Sequence, residues 1–373
     1  MLDPRVEGLI FFALSFVMAV VLTPIVIHVA KKNRWLDMPS ARKIHQIPIP
    51  RLGGVALFIS LWSSWALFCF FFPNVVPIEA KRPLWGIFFG SLIVFILGIY
   101  DDLRGADAKK KLLVQLIAAC WVTYMGLDIK ILFNPITGMD TMLDNSLWGQ
   151  VITVLWIVGI TNAINLIDGL DGLAGGVSLI TAVTIYFISR DLGIPHLPYL
   201  ALCLSGACLG FLIFNFNPAR IFLGDSGSLV LGFVLACFSI LGTVKRSTAV
   251  VMLGPPLVLA LPVADTFLAI ARRFLRSAAA HEDLSGYRSF LKPSAFLGRI
   301  REIFDADQNH IHHALVKVGL SHRKAVMILY IVTAILGVSA YRIAVYNYWI
   351  SSLLVLGILG FVLFFLTRKV KNR

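Results

Sequence analysis

Asn162-Ala-Ile-Asn165-Leu-Ile-Asp168-Gly169-Leu-Asp171-Gly172-Leu-Ala-Gly175-Gly176 sets two asparagines and two aspartates between the apolar runs 151–160 and 177–188. An ionisable side chain at the centre of a bilayer costs at least about 2.5–3.5 kcal/mol. Such a stretch therefore belongs at a membrane boundary or in a watered cleft, which makes it a candidate site. The spacing of three between Asn165, Asp168 and Asp171 would line them along one helix face. Gly169, Gly172, Gly175 and Gly176 argue instead for a helix end where backbone is closely approached.

The rest of the chain is apolar. Of 373 residues, 58% are hydrophobic and 14% charged, and the mean hydropathy is +0.84; soluble domains carry about a quarter charged residues. The composition is that of an all-α polytopic membrane protein. No linker, repeat or low-complexity segment divides it, so residues 1–373 read as one domain. The net charge of +13 is accounted for by basic residues at membrane edges, and nucleic acid is not an expected partner. Cys69, Cys120, Cys203, Cys208 and Cys237 all fall in apolar runs without C-x-x-C spacing and read as small buried hydrophobes. The start of the chain lacks a basic n-region and a small-residue cleavage site, and reads as an uncleaved first span.

At about 20 residues per span, helices are expected at 7–30, 53–72, 84–100, 112–127, 147–164, 173–189, 197–214, 227–243, 249–271, 325–343 and 349–367. That makes eleven spans, with ten as the alternative count. Loops then alternate between two faces. Only Arg5, Lys81, Arg82, Lys130, Arg190, Lys245, Arg246 and Arg342, eight of the 33 Lys and Arg, fall on one of them. The positive-inside rule makes the other face cytoplasmic. Every polar cluster, including the opening stretch, lies on that face, which predicts an active-site cleft there.

Four further clusters share it. The first loop holds Lys43, His45 and Arg51 ahead of Gly53-Gly54, where backbone or ligand can come close. The third span runs without a spacer into Asp101-Asp102, followed by Lys109-Lys110-Lys111, a pattern suited to a divalent cation with a phosphate. After the seventh span come Asn215, Pro218, Phe222, Gly224, Asp225, Ser226 and Ser228; Pro218 ends a helix, Gly224 permits a turn, and either serine is a candidate cap for the next helix. The long loop 272–324 begins at Arg272 and carries His310-Ile-His312-His313. Three histidines without a cysteine or a spaced fourth ligand make a poor zinc site. Imidazoles donating to phosphate oxygens fit their basic neighbours better.

Taken together, carboxylates amid lysines and histidines suit Mg²⁺ and a pyrophosphate, and the membrane setting implies a lipid as second substrate. Three readings are open from the residues alone: transfer between a soluble phosphorylated donor and a membrane-held acceptor, an intramembrane prenyl transferase, and a transporter. The prenyl transferase predicts D-x-x-x-D-type motifs on two helices, which are absent. The transporter predicts ionisable groups near mid-span, whereas here they gather at one face, with Asp265 the main exception.

Tyr100-Asp101-Asp102 with Lys111, Asn162-x-x-Asn165-x-x-Asp168-Gly-x-Asp171-Gly, Asn215 with Pro218-Ala and Phe222-x-Gly224-Asp225-Ser-Gly-Ser, and His310-Ile-His312-His313 together resemble the motifs of the polyprenyl-phosphate N-acetylhexosamine-1-phosphate transferases, in their WecA/TagO branch. The last motif is unlike the three consecutive histidines of the phospho-MurNAc-pentapeptide transferases. The segment 277–304 is longer than the corresponding family loop, which puts the identity of the sugar in question.

The resemblance implies transfer of a sugar 1-phosphate, most simply GlcNAc-1-phosphate, from a UDP-sugar to undecaprenyl phosphate at a bacterial plasma membrane, with release of UMP. UDP-GalNAc and UDP-MurNAc-pentapeptide are the alternative donors. Mg²⁺, with Mn²⁺ as a permitted substitute, would be held by Asp225 and Asn165. Asp101 and Asp102 would activate or orient the lipid phosphate, with Asp168 supporting the centre. Phe222 would stack on uracil with Asn215 and Asp171 nearby, beside Gly224. Lys111, His310, His312 and His313 would bind phosphate oxygens, with Arg272 a further contact, and Lys43, His45 and Arg51 are candidate substrate-binding residues. A one-step displacement, a covalent aspartyl route and a homodimer are all compatible with the sequence.

Overall fold

The computed structural model describes residues 4–39, 47–133, 140–143, 146–242, 259–263, 265–266, 315–317, 319–346 and 357. Their helices are α1 (Pro4–Lys32), α2 (Gly53–Phe71), α3 (Ile78–Arg104), α4 (Ala108–Tyr124), α5 (Leu147–Ile167), α6 (Leu173–Asp191), α7 (Leu197–Asn215), α8 (Gly224–Leu241) and α9 (His322–Tyr346). Among the described residues, eight helices are long and apolar enough to cross a membrane, as an all-α polytopic membrane protein requires. α4 is the shorter one, 17 residues opening on Lys109, Lys110 and Lys111. The expected span 349–367 and most of 249–271 lie outside the described residues, so the count of eleven is left where the sequence puts it.

α8 is the axis of the bundle. Every residue from Ser226 to Leu241 is buried, and a helix apolar on all sides is stable only when surrounded. α3, α5 and α2 pack directly on it, and α6 and α7 complete the inner ring. α1 lies outside against α7 and α2, and α9 against α6. The outer face of α1 shows Leu9, Ile10, Val17, Val21 and Ile25, the lipid-facing side of a peripheral span.

Polar side chains inside the bundle pair across helices, as hydrocarbon surroundings demand. Ser15 Oγ donates to the Cys203 carbonyl at 2.7 Å. The Asn162 amide donates to Gln115 Oε1 at 2.6 Å, joining α5 to α4. Trp156 Nε1 donates to Ser239 Oγ at 3.0 Å, joining α5 to α8.

Two short antiparallel ribbons were not foreseen in the sequence. β1 (Leu36–Asp37) pairs with β2 (Ile49–Pro50), and β3 (Ile131–Phe133) with β4 (Asp140–Met142). The first has a positional use: Phe222 N donates to the Pro50 carbonyl at 2.9 Å, and Gly53 and Gly54 donate to the carbonyls of Phe222 and Leu223 at 3.0 and 2.9 Å. The first loop is thereby sewn to the segment that enters α8.

Candidate active site

The loop expected at 101–111 begins later than the sequence suggests. α3 continues through Asp101 and Asp102 to Arg104 and stops at Gly105, whose φ is 75° and whose N–H returns to the Asp101 carbonyl. The two carboxylates thus stand on the last helical turn, on a rigid support.

Their partners differ. Asp102 accepts the Asp225 N–H at 2.9 Å on one oxygen and the Ser226 N–H at 3.1 Å on the other. Those are unpaired first-turn amides of α8, so the cap of α8 comes from α3. The expected serine cap is replaced: Ser226 and Ser228 lie inside the helix, and Ser228 Oγ donates to the Gly224 carbonyl at 3.0 Å. A carboxylate at a helix N-terminus is the stronger choice, since its charge opposes the helix dipole. Gly224, at φ 72°, makes the turn with Asp102 against its Cα, where a Cβ would collide with the carboxylate.

Asp101 accepts the Ala106 N–H at 2.6 Å and Lys111 Nζ at 2.8 Å. Lys111 Nζ also donates to Asp225 at 2.6 Å. One ammonium therefore bridges carboxylates on α3 and α8, all three side chains partly open to solvent.

The polar stretch 162–176 folds as the end of α5, a turn and the start of α6. Asp168 is the residue after α5, and Gly172 precedes α6 at φ 79°. Asp168 has no side-chain hydrogen bond among the described residues. Burial, reinforced by repulsion from Asp225, Asp102 and Asp171, pushes its pKa up to about 8. The Asn165 amide N–H donates to Ser228 Oγ at 2.8 Å, tying α5 to α8, and Asn165 is not among the residues lining the cleft.

Asp171 and Asn215 are clamps. Asp171 accepts the Asn217 amide at 2.9 Å and the Ala219 N–H at 3.1 Å, on either side of the cis Asn217–Pro218 bond. Asn215 is buried; it accepts the Gly172 N–H at 3.1 Å and donates to the Ile221 carbonyl at 2.9 Å. Both side chains fix the loop between α7 and α8 against the turn between α5 and α6. Both residues also line the cleft described next.

These elements enclose a cleft of about 740 Å³ lined by Asp101, Asp102, Asp168, Asp171, Phe222 and Asp225, together with Asp37, Arg51 and His322. Arg51 is ion-paired with Asp37 across the β1–β2 ribbon. His322, the first residue of α9, is a cleft residue for which the sequence offers no motif. Its Nε2 is buried without a hydrogen-bond partner among the described residues. The neighbouring Arg323 donates to the Asn217 carbonyl at 2.9 Å and holds that end of α9 on the same loop. Lys43, His45, Arg272, His310, His312 and His313 lie outside the described residues.

Among the described residues, no three or more His, Cys, Asp or Glu form a ready-made metal cage. Mg²⁺ does not need one, since it keeps waters and takes one or two carboxylates together with substrate phosphates. The donor set fits such an ion: Asp168 without a donor and Asp225 with one oxygen on Lys111 face a cleft rich in carboxylates.

The profile of glycosyl transferase family 4 matches residues 84–243, from α3 to just past α8. The probable undecaprenyl-phosphate N-acetylglucosaminyl 1-phosphate transferase of Bacillus subtilis (strain 168) is 35% identical over 352 residues, 94% of this chain and 89% of that protein. The chain belongs to glycosyl transferase family 4. Two more distant members are similar over much of their length. Decaprenyl-phosphate N-acetylglucosaminephosphotransferase of Mycobacterium tuberculosis is 31% identical over 326 residues, 81% of this chain and 74% of that protein. Phospho-N-acetylmuramoyl-pentapeptide-transferase of Staphylococcus carnosus is 29% identical over 304 residues, 76% of this chain and 92% of that protein. As a family 4 member with spans of this length, the chain is an integral-membrane transferase.

Proposed function

We propose that the protein transfers GlcNAc-1-phosphate from UDP-GlcNAc to undecaprenyl phosphate, releasing UMP and leaving a lipid-diphosphate sugar for cell-envelope polysaccharide synthesis. The observation that carries this reading is the convergence of Asp101, Asp168 and Asp225 on one cleft, with Lys111 between two of them. GlcNAc is favoured over the peptide-bearing donor by the His-Ile-His-His motif and by the names of the Bacillus and Mycobacterium relatives. In this reading the cleft faces the cytoplasm, on the side where the basic loops gather.

When bound, Mg²⁺ supplies charge neutralisation on the diphosphate. Asp225 would hold it, with Asp168 as the neighbouring carboxylate of the cleft, and Asn165 would act from behind by steadying α8 through Ser228. Phe222 offers an aromatic face for uracil in a wall braced by Asp171 and Asn215. His322 donates to a phosphate oxygen, as do Lys43, His45 and the histidines of the long loop.

The reaction is an in-line displacement. An oxygen of the lipid phosphate forms the new bond to the β-phosphorus, the bond from that phosphorus to the bridging oxygen breaks, and UMP leaves with the electron pair. Any proton on the lipid phosphate passes to Asp168, ionised once the cluster's charge is balanced. Both oxygens of Asp102 and both of Asp101 already accept hydrogen bonds, which favours direct attack over an aspartyl intermediate at either. Asp102 is then a positioning residue for α8.

The test is UMP release by purified protein with undecaprenyl phosphate and Mg²⁺, using UDP-GlcNAc, UDP-GalNAc and UDP-MurNAc-pentapeptide side by side. Turnover with UDP-GlcNAc at least about tenfold above the others is expected, the scale of one lost or misplaced pocket contact. Preference for another donor overturns the sugar assignment, and no UMP from any of them overturns the reaction.

A further inference from the structure

α2 leaves the cleft at Gly53 and α3 returns to it at Asp101, so the end of α2 and the start of α3 lie together at the opposite end of the bundle. At 1.5 Å per residue, Trp62 is about 13 Å and Phe70 about 25 Å along α2 from Gly53. Between these halves lies a second cavity of about 480 Å³, inside the 300–1,000 Å³ range typical of ligand pockets.

Its wall is aromatic and its rim is open. Trp62, Trp65, Val76 and Leu84 are buried, whereas Phe70 and Trp85 are 77% and 56% exposed. Trp62 meets Phe88 edge to face at 5.2 Å. Two features separate this cavity from an ordinary crevice between lipid-facing helices. The indole Nε1 of Trp62, a residue only 6% exposed, has no hydrogen-bond partner among the described residues. Lys81 is the one charged residue of the lining and has no carboxylate partner among the described residues. The adjacent Arg82 is held away by the Tyr124 carbonyl at 2.9 Å and the Tyr124 ring at 5.5 Å.

An unpaired ammonium over an apolar aromatic chamber matches an amphiphile with an anionic head. Basic side chains at the membrane surface attract anionic lipid by about 1 kcal/mol each, and tryptophans favour the same depth. We propose that this cavity is a binding site for one anionic phospholipid, an acyl chain lying among Trp62, Trp65 and Phe88 and the phosphate seated on Lys81. A phosphate seated on Lys81 is not the reacting one: the acceptor's phosphate must reach Asp168, and the hydrocarbon layer of about 30 Å separates the two ends.

Cys69, in the cavity wall and half-buried, is a native reporter, with exposed Cys120 as an internal reference. Full-length protein in mild detergent should retain about one phosphatidylglycerol per chain by native mass spectrometry. Lys81→Glu should weaken its retention roughly tenfold, more than the loss of a single surface charge. Ala66→Trp, which fills the chamber and leaves Lys81 in place, should abolish it. Added phosphatidylglycerol should slow maleimide modification of Cys69 but not of Cys120, and phosphatidylcholine should slow neither. UMP release by Lys81→Glu should stay within about twofold of the parent, as for an ordinary surface change, so this test is read independently of the donor. Equal phosphatidylglycerol retention in parent, Lys81→Glu and Ala66→Trp, or equal protection of Cys69 by both lipids, overturns the proposal.

Discussion

At the cleft, Gly54 of α2 and Gly98 of α3 let both helices lie directly on the first turn of α8, where a Cβ at either position would run into the backbone of Ser226 or Gly227. At the far end the same two helices carry Trp62, Trp65, Trp85 and Phe88 and stand apart around a chamber. One pair of helices thus makes a tight joint and an open one. Small residues let backbones touch, and that contact brings Asp102 to the amides of α8 and Asp225 to Lys111. Large aromatics hold backbones apart and leave room for a lipid chain. Precision is concentrated where charge must be placed, and space is left where an apolar guest can fill it.

The contrast is broken most directly by exchanging side-chain size between the two ends. Gly98→Val should separate α3 from α8, uncouple Asp102 from its amides and remove nearly all turnover. Overpacking alone costs about 1–3 kcal/mol, and the two orphaned amides add to it, so the melting temperature falls as well. Ala66→Trp adds more volume to the same pair of helices, yet should leave turnover within about threefold, because an existing cavity receives it. Paired thermal-shift and UMP-release measurements check both. Equal damage from the two substitutions would end the distinction between the joints.

A smaller effect comes from Asp168. Its folded pKa is raised to about 8, above an unfolded value near 3.9, so between those values the native state holds a proton that the unfolded chain has released. The resulting stability is complete below the unfolded pKa and is lost as pH rises through about 8. In EDTA, the melting temperature should therefore fall from about pH 6 to about pH 9, and Asp168→Asn should flatten that slope. Differential scanning fluorimetry at several pH values measures it. An unchanged slope in the variant would assign the titration to another group.

Much of the fold was legible because it is written in local pattern. Hydropathy alone places α1, α2 and α5 to α9, and glycines beside aspartates mark the turns at Gly172 and Gly224. The site was legible as a set of residues but less so as a set of roles. Asp102 and the amides it caps are 123 and 124 positions apart, and Lys111 and Asp225 are 114 apart; no local spacing announces such pairs. Asn215 shows the same gap. A carboxamide that clamps two loops has no sequence signature of its own, and the clamp shows only in the fold, where Asn215 is buried with both polar atoms engaged. His322 carried no signal, being a lone histidine at a helix start that becomes a cleft residue only when α9 packs on α6.

The central claim is that the carboxylates gathered by the tight joint hold a divalent cation for phosphoryl transfer. Mn²⁺ binding to the purified protein, followed by electron paramagnetic resonance alongside UMP release from UDP-GlcNAc, tests it most directly. The account predicts that the parent binds one Mn²⁺, more tightly with UDP-GlcNAc present. It also predicts that Asp225→Ala loses that binding together with at least about a thousandfold of turnover, the scale of removing a main electrostatic stabiliser. Unchanged Mn²⁺ binding in Asp225→Ala, or turnover that persists in EDTA, would contradict it.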